Sequence, residues 1–143
     1  MRRAVTACVT DNSDSNITLK ENGRRLNIIN EGNISYLVVK VDGCLITDGI
    51  RADWIITKIG TGSIILELKG RNIDQALKQL FATLAHDNCR DWIESKRSLI
   101  IVCSRVPSFD TTIAKAQVVA RRAGVKLKAI CVSASLTFDE LVS

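Results

Sequence analysis

The chain reads as an α/β protein with a mixed β-sheet flanked by helices. Three apolar, β-branched runs separated by turn residues fill the first half, and a helix, strand, helix, strand alternation fills the second. At 143 residues, 46% apolar and 24% charged with one proline, the chain holds one sizeable core and little more, so 1–143 is read as a single domain.

A polar stretch, TDNSDSN at 10–16, follows a short apolar N-terminal piece that is either a strand or an ordered tail. SYLVVKV at 35–41 is β-branched and closed by Asp42-Gly43, which predicts a strand and then a turn. CLITDGI continues the meander toward ADWIITK at 52–58. Between that run and SIILELK at 63–69 lies IGTGS, whose two glycines in a short loop predict a hairpin.

Ile73, Ala76, Leu77, Leu80, Phe81 and Leu84 recur at helical spacing, with Asn72 as N-cap and Gln75 as its capping-box partner. A polar link containing His86, Trp92 and Lys96 precedes SLIIVCS at 98–104, a buried strand stopped near Pro107. A second helix spans about 110–123, with Arg121 and Arg122 in its last turn and Gly124 as its stop. VKLKAICVS at 125–133 is a further strand, and SLTFDELVS a short helical tail.

Composition excludes several classes. Five cysteines, odd in number, scattered and mostly embedded in apolar runs without a CxxC pair, argue against a zinc site or a disulfide framework. Cys44 reads as a small buried hydrophobe. No run approaches the ~18 apolar residues of a membrane span. The apolar part of the N-terminus is too short for a signal peptide, so the expected location is a reducing cytoplasm with no membrane partner. The lone His86 reads as a surface or helix-capping residue, and nothing resembles a Ser-His-Asp triad. A formal charge of +5, from 20 Lys and Arg against 15 Asp and Glu, favours anionic partners such as nucleic-acid phosphates.

The chemistry concentrates in the hairpin. Alternation puts Ile65, Glu67 and Lys69 on one face of SIILELK, and Ile64, Leu66 and Leu68 on the other, which is expected to pack on a helix. Positions 53 and 67 are symmetric about Gly60, and 53 and 69 about Thr61, so Asp53 is expected across from Glu67 or Lys69 on the charged face. Two close carboxylates repel and are costly to bury, which makes a cation their natural third party. A few oxygen ligands with room for water suit Mg²⁺ or Mn²⁺. A neighbouring amine orients an attacking water and stabilises charge on a phosphodiester. The competing reading is that Glu-x-Lys is an ion pair on a solvated strand face. Asp42-Gly43 and Asp48-Gly49 read as ordinary turn dipeptides.

Asp53, then Glu67-Leu68-Lys69 after 13 intervening residues, in a hairpin followed directly by an amphipathic helix, resembles the PD-(D/E)XK nuclease superfamily. Within it the chain is similar to restriction endonucleases and the small archaeal Holliday-junction resolvases. VDGCLITDGIRADWII with LELKGRNIDQALKQL also resembles a group of small uncharacterised prokaryotic proteins.

The resemblance implies a restriction-endonuclease-like fold and a divalent-metal-dependent nuclease acting on DNA, structure-specific or part of a restriction or defence system. It would work as a homodimer or beside a partner protein. Asp53, Glu67 and the Leu68 carbonyl would hold the metal and Lys69 would serve catalysis. Gln79, on the flank of the helix's apolar stripe, would be the helix glutamine that some branches carry. Two features depart from the pattern: Ala52 stands where a proline is common, and no upstream acid is assigned, Glu21 and Glu31 both being candidates and neither sitting in a clear helix. Arg105, after SLIIVCS, would contact a substrate phosphate. The cluster Arg121, Arg122, Lys126 and Lys128 either steers DNA or complements a helix dipole. The alternative is a non-catalytic module on the same fold that binds a protein or a nucleic acid.

Overall fold

The computed structural model describes residues 7–21, 24–68, 73–103, 111–131 and 135–143. In chain order the elements are β1 (Val9–Asn12), β2 (Asn16–Glu21), β3 (Arg24–Ile29), β4 (Tyr36–Lys40), β5 (Trp54–Lys58), β6 (Gly62–Leu68) and α1 (Ile73–Ala85). A 3-10 turn at Asp87–Trp92, β7 (Arg97–Cys103), α2 (Thr111–Arg122), β8 (Lys126–Cys131), β9 (Ser135–Thr137) and α3 (Phe138–Val142) follow. The proposed N-cap Asn72 lies outside the described residues.

The fold is mixed α/β, with a six-stranded sheet ordered β1-β4-β5-β6-β7-β8 and a three-stranded sheet ordered β2-β3-β9. β1, β4, β5 and β6 run antiparallel, whereas β6, β7 and β8 are parallel. The parallel pairs are joined through α1 and α2, because a parallel step needs a crossover long enough to hold a helix.

Both faces of the large sheet are covered, which is why its strands read as almost unbroken apolar runs. One core joins Leu37, Val39, Ile55, Ile65, Leu99 and Ile101 to Ala76, Leu77 and Leu80 of α1 and to Ala116 and Ala120 of α2. The opposite core joins Val38, Ile56, Ile64, Leu66, Ile100 and Val102 to Ile17, Leu19, Leu26 and Ile28 of the small sheet and to Phe138 and Leu141 of α3. The Ile64, Leu66, Leu68 face therefore does meet a helix, but it is the short α3, beside the small sheet. Helix α1 packs on the opposite face, which carries Ile65. The small-sheet residues come from 16–29, where the sequence offers only short alternating stretches.

The hairpin between β5 and β6 closes with Thr61 N–H donating to Lys58 C=O at 2.9 Å and with Gly60 at φ 79°, the left-handed conformation that glycine adopts without cost. Gly62 is required for a different reason. A Cβ there would lie 2.8 Å from Val142 Cγ2 and 3.0 Å from the Lys96 carbonyl oxygen, so the close approach of α3 and the β7 entry leaves no space for one.

Cys44 is not a simple buried hydrophobe: it forms a disulfide with Cys8. The pairing follows from strand register, which no spacing rule discloses. β1 lies on β4 with Val9 opposite Val39, and Lys40 N–H donates to the Cys8 carbonyl at 2.8 Å. The turn after β4 then folds back, with Ile46 N–H on the Val41 carbonyl, and brings Cys44 beside Cys8. Cys89 and Cys103 are buried. Burial pushes the Cys89 thiol up to about 12.

Candidate metal centre

The β5·β6 register runs Trp54 to Leu66, Ile55 to Ile65 and Ile56 to Ile64, centred on Gly60. One step further places Asp53 opposite Glu67, the first of the two registers expected. Asp53 N–H donates to the Leu66 carbonyl at 3.1 Å, and the Asp53 Oδ2 accepts from Leu68 N–H at 2.9 Å. Both carboxylates sit inside the protein, Asp53 at 7% and Glu67 at 2% exposure. They extend the same sheet face that packs on α1.

Three acids converge on this rim: single carboxylate oxygens of Glu21, Asp42 and Asp53 lie within 4.8 Å of one another. They come from three separate elements. Glu21 ends β2 of the small sheet, Asp42 sits in the turn after β4, and Asp53 immediately precedes β5. Of the two upstream acids considered, Glu21 reaches Asp53, whereas Glu31 lies in an exposed turn after β3. Glu67 is not a member of the trio. Asp42, which reads locally as half of a turn dipeptide, is brought in by long-range contacts: Val41 and Asp42 both direct their N–H groups to the Asp53 carbonyl, at 3.0 and 3.4 Å. Lys69 and Arg105 lie outside the described residues.

Helix α1 clamps the approach to Asp53. Gln79 Nε2 donates to the Arg51 carbonyl at 3.0 Å, and one turn later Thr83 Oγ1 accepts from the buried Ala52 N–H at 2.7 Å. The Thr83 hydroxyl donates back to the Gln79 carbonyl at 2.8 Å, so it serves both segments. Gln79 is thus a positioning residue for the strand entry. Thr83 escaped the sequence reading because a threonine on a helix flank carries no signal by itself. Ala52 stands where the resembled pattern often has a proline, and its N–H, which a proline would lack, is used by this clamp.

Arg51 turns back over the rim. Its Nε donates to Asp42 Oδ1 at 2.8 Å and its Nη1 to the Gly49 carbonyl at 2.6 Å. Beside it opens a cavity of about 330 Å³ lined by Asp42, Ile50, Arg51, Gln75, Lys78 and Gln79. One carboxylate of the trio, Asp42, therefore shares the lining of this space with Arg51, Lys78 and two amide side chains.

The three acids could hold a metal ion. Their donor set consists of carboxylate oxygens within 4.8 Å of one another, with no cysteine or histidine among them, the chemistry that Mg²⁺ and Mn²⁺ select.

His86 caps the 3-10 turn after α1, its Nδ1 accepting from Asn88 N–H at 3.1 Å, so it has a local structural use. No helix of the described residues is long and apolar enough to cross a membrane. No protein-family model matches the chain, and neither a curated protein nor a solved structure matches it significantly.

Proposed function

We propose that this protein is a metal-dependent nuclease of restriction-endonuclease-like fold, hydrolysing DNA phosphodiester bonds at the rim where Glu21, Asp42 and Asp53 meet. The observation that carries this reading is the convergence of three carboxylates from three distant elements, within 4.8 Å of one another, beside a cavity lined by Lys78 and Arg51. Like charges gathered in this way repel unless a cation joins them. The antiparallel strands β4, β5 and β6 followed by α1 and the parallel strand β7 agree with the resemblance that Asp53 and Glu67-Leu68-Lys69 suggest.

Glu21, Asp42 and Asp53 would hold Mg²⁺ or Mn²⁺, with Glu67 and the Leu68 carbonyl behind them. The ion would act there as a Lewis acid on the phosphate and lower the pKa of a bound water. The remaining work falls to the chain's own groups. The cavity admits the phosphate, and Lys78 offers it positive charge. Lys69, directly after β6, orients the attacking water, and Arg105 steadies a neighbouring phosphate. Gln79 and Thr83 keep Asp53 in place by holding the backbone of the two residues before it. In a homodimer, or with a partner protein, a second copy of the rim would serve the other strand of a duplex.

Two observations favour a second reading, a non-catalytic module on the same fold. Asp42 is already paired with Arg51, and Asp53 already caps Leu68 N–H. Titration of Mg²⁺ and Mn²⁺ by calorimetry into the intact protein and into Asp53→Asn and Glu21→Gln separates the two. Asn at 53 keeps an acceptor for Leu68 N–H while removing the charge. The nuclease reading expects binding that weakens at least about tenfold in either variant, with metal-dependent cutting of branched or linear DNA by the intact protein alone. An intact protein that neither binds metal nor cuts refutes it and leaves the module.

A further inference from the structure

The structure assigns a second anion-binding site to this protein, a basic trough along the β8 edge that takes the phosphodiester backbone of a nucleic acid without a metal. Two cavities, of about 380 and 240 Å³, open side by side there and share Arg121, Val125 and Lys126 in their walls. Together they gather Lys96, Arg97, Arg121, Lys126 and Lys128, and no carboxylate lines either one.

The trough is distinct from the acidic rim. Register places Arg97 opposite Ser63 and Lys126 opposite Ser98, whereas Glu67 lies opposite Ile101. Four residues along a strand amount to about 13 Å, and β8 is two strands away from β6, about another 10 Å. A ligand in the trough therefore meets different residues from one at Asp53.

The local chemistry calls for an anion. Among the described residues, Lys96, Arg97, Arg121 and Lys126 form no ion pair, and Arg97 Nε is a buried donor without a hydrogen-bond partner. Lys128 donates to the Glu140 carbonyl at 2.6 Å, and its ammonium is held below the usual lysine range by burial and then by the charge of Lys126, against a smaller opposing effect of Glu140. Five cations arranged along two joined hollows suit an extended chain of phosphates better than a single ion. A protein that neutralises several phosphates releases counterions and gains affinity without reading sequence. The choice of nucleic acid as the polyanion follows from the proposed nuclease activity, but the site itself does not depend on it.

The test is fluorescence anisotropy of a labelled duplex DNA, in excess EDTA so that metal binding at the rim is absent, across a salt series. Arg121 and Lys126 are exposed, so Arg121→Gln/Lys126→Gln is compared with the intact protein and with Arg25→Gln/Lys115→Gln, which removes two exposed cations outside both cavities. The trough variant is expected to bind about tenfold more weakly and to lower the salt slope by about 1.8, the loss of two phosphate contacts. The control is expected to change little. If the double variant unfolds, each single substitution carries the same test at about 0.9 in slope. Unchanged affinity and slope in the trough variant, or an equal loss in the control, overturns the assignment. A protein that binds through the trough and never cuts refutes only the nuclease; one that cuts while its affinity ignores Arg121 and Lys126 refutes only the trough.

Discussion

Replacing Thr83 by valine isolates the clamp that holds the entry to Asp53. Valine keeps the volume and the β-branch, so the change removes one hydroxyl and nothing else of consequence. Two hydrogen bonds go with it, and they are unequal. The Gln79 carbonyl retains its place in the helix ladder, since residue 83 still offers its backbone N–H. The Ala52 N–H has no such reserve: the residue is fully buried, and Thr83 Oγ1 is its acceptor at 2.7 Å. A buried donor left without a partner costs about 1–3 kcal/mol. With a urea slope of about 2 kcal/mol per M, Thr83→Val should lower the unfolding midpoint by about 0.5–1.5 M.

Thr83→Ser is the counterpart, keeping the hydroxyl and losing a methyl, and it should cost about 1 kcal/mol or less. Urea unfolding of the three proteins, followed by far-ultraviolet dichroism, reads both numbers. A Thr83→Val midpoint within about 0.2 M of the parent would refute the reasoning, because a buried amide must then have found another acceptor. Metal titration of the same variants adds a readout of position: displacement of Ala52 reaches Asp53 within one residue, so weaker binding should accompany the lost stability in Thr83→Val and recover in Thr83→Ser.

Two further outcomes are expected. The Cys8–Cys44 bridge spans a sequence separation of 36, which by loop-closure entropy stabilises the fold by about 3–4 kcal/mol; urea unfolding with and without dithiothreitol, and of Cys8→Ser/Cys44→Ser, should show that difference, and equal midpoints would mean that the unfolded chain is not constrained by it. For Cys89, the folded thiol is raised to about 12 from an ordinary 9, so the unfolded chain ionises first, and its contribution to stability, complete below pH 9, is lost as pH climbs from 9 toward 12. Each unit in that window removes up to about 1.4 kcal/mol. Unfolding titrations of the parent and Cys89→Ala should diverge there, and parallel curves would place the titration on another group.

How much of this was legible follows from where each signal resides. The placement of Asp53 across from Glu67 needed only period-two alternation and a loop that two glycines mark, both local to residues 53–68, and the structure has that register. The helix at Ile73–Ala85 was similarly local, its apolar stripe fixing both face and length. The small sheet was not legible. Its strands alternate buried and exposed residues over six positions at most, and β3 is completed by β9 from the far end of the chain.

The rim shows the same division more sharply. Asp42-Gly43 is a turn dipeptide by every local criterion, and Gly43 does adopt φ 76°; what makes Asp42 part of a site is the Asp53 carbonyl, which accepts from two successive amides at the end of β4. Glu21 and Glu31 were equivalent as letters, and only the pairing of β2 with β3 carries one to the rim and leaves the other in a turn. Cys8 and Cys44 were likewise joined by the β1·β4 register. Each missed residue lies at or just beyond the end of an element and meets its partner in the site 11 to 36 positions away, where no pattern along the chain measures proximity. It follows that the acids most dependent on tertiary packing, Glu21 and Asp42, are also those that lose their geometry first on partial unfolding. If the rim holds a metal as proposed, its binding should then stabilise the junction of the small sheet with β4 and β5 more than it stabilises β7 or β8.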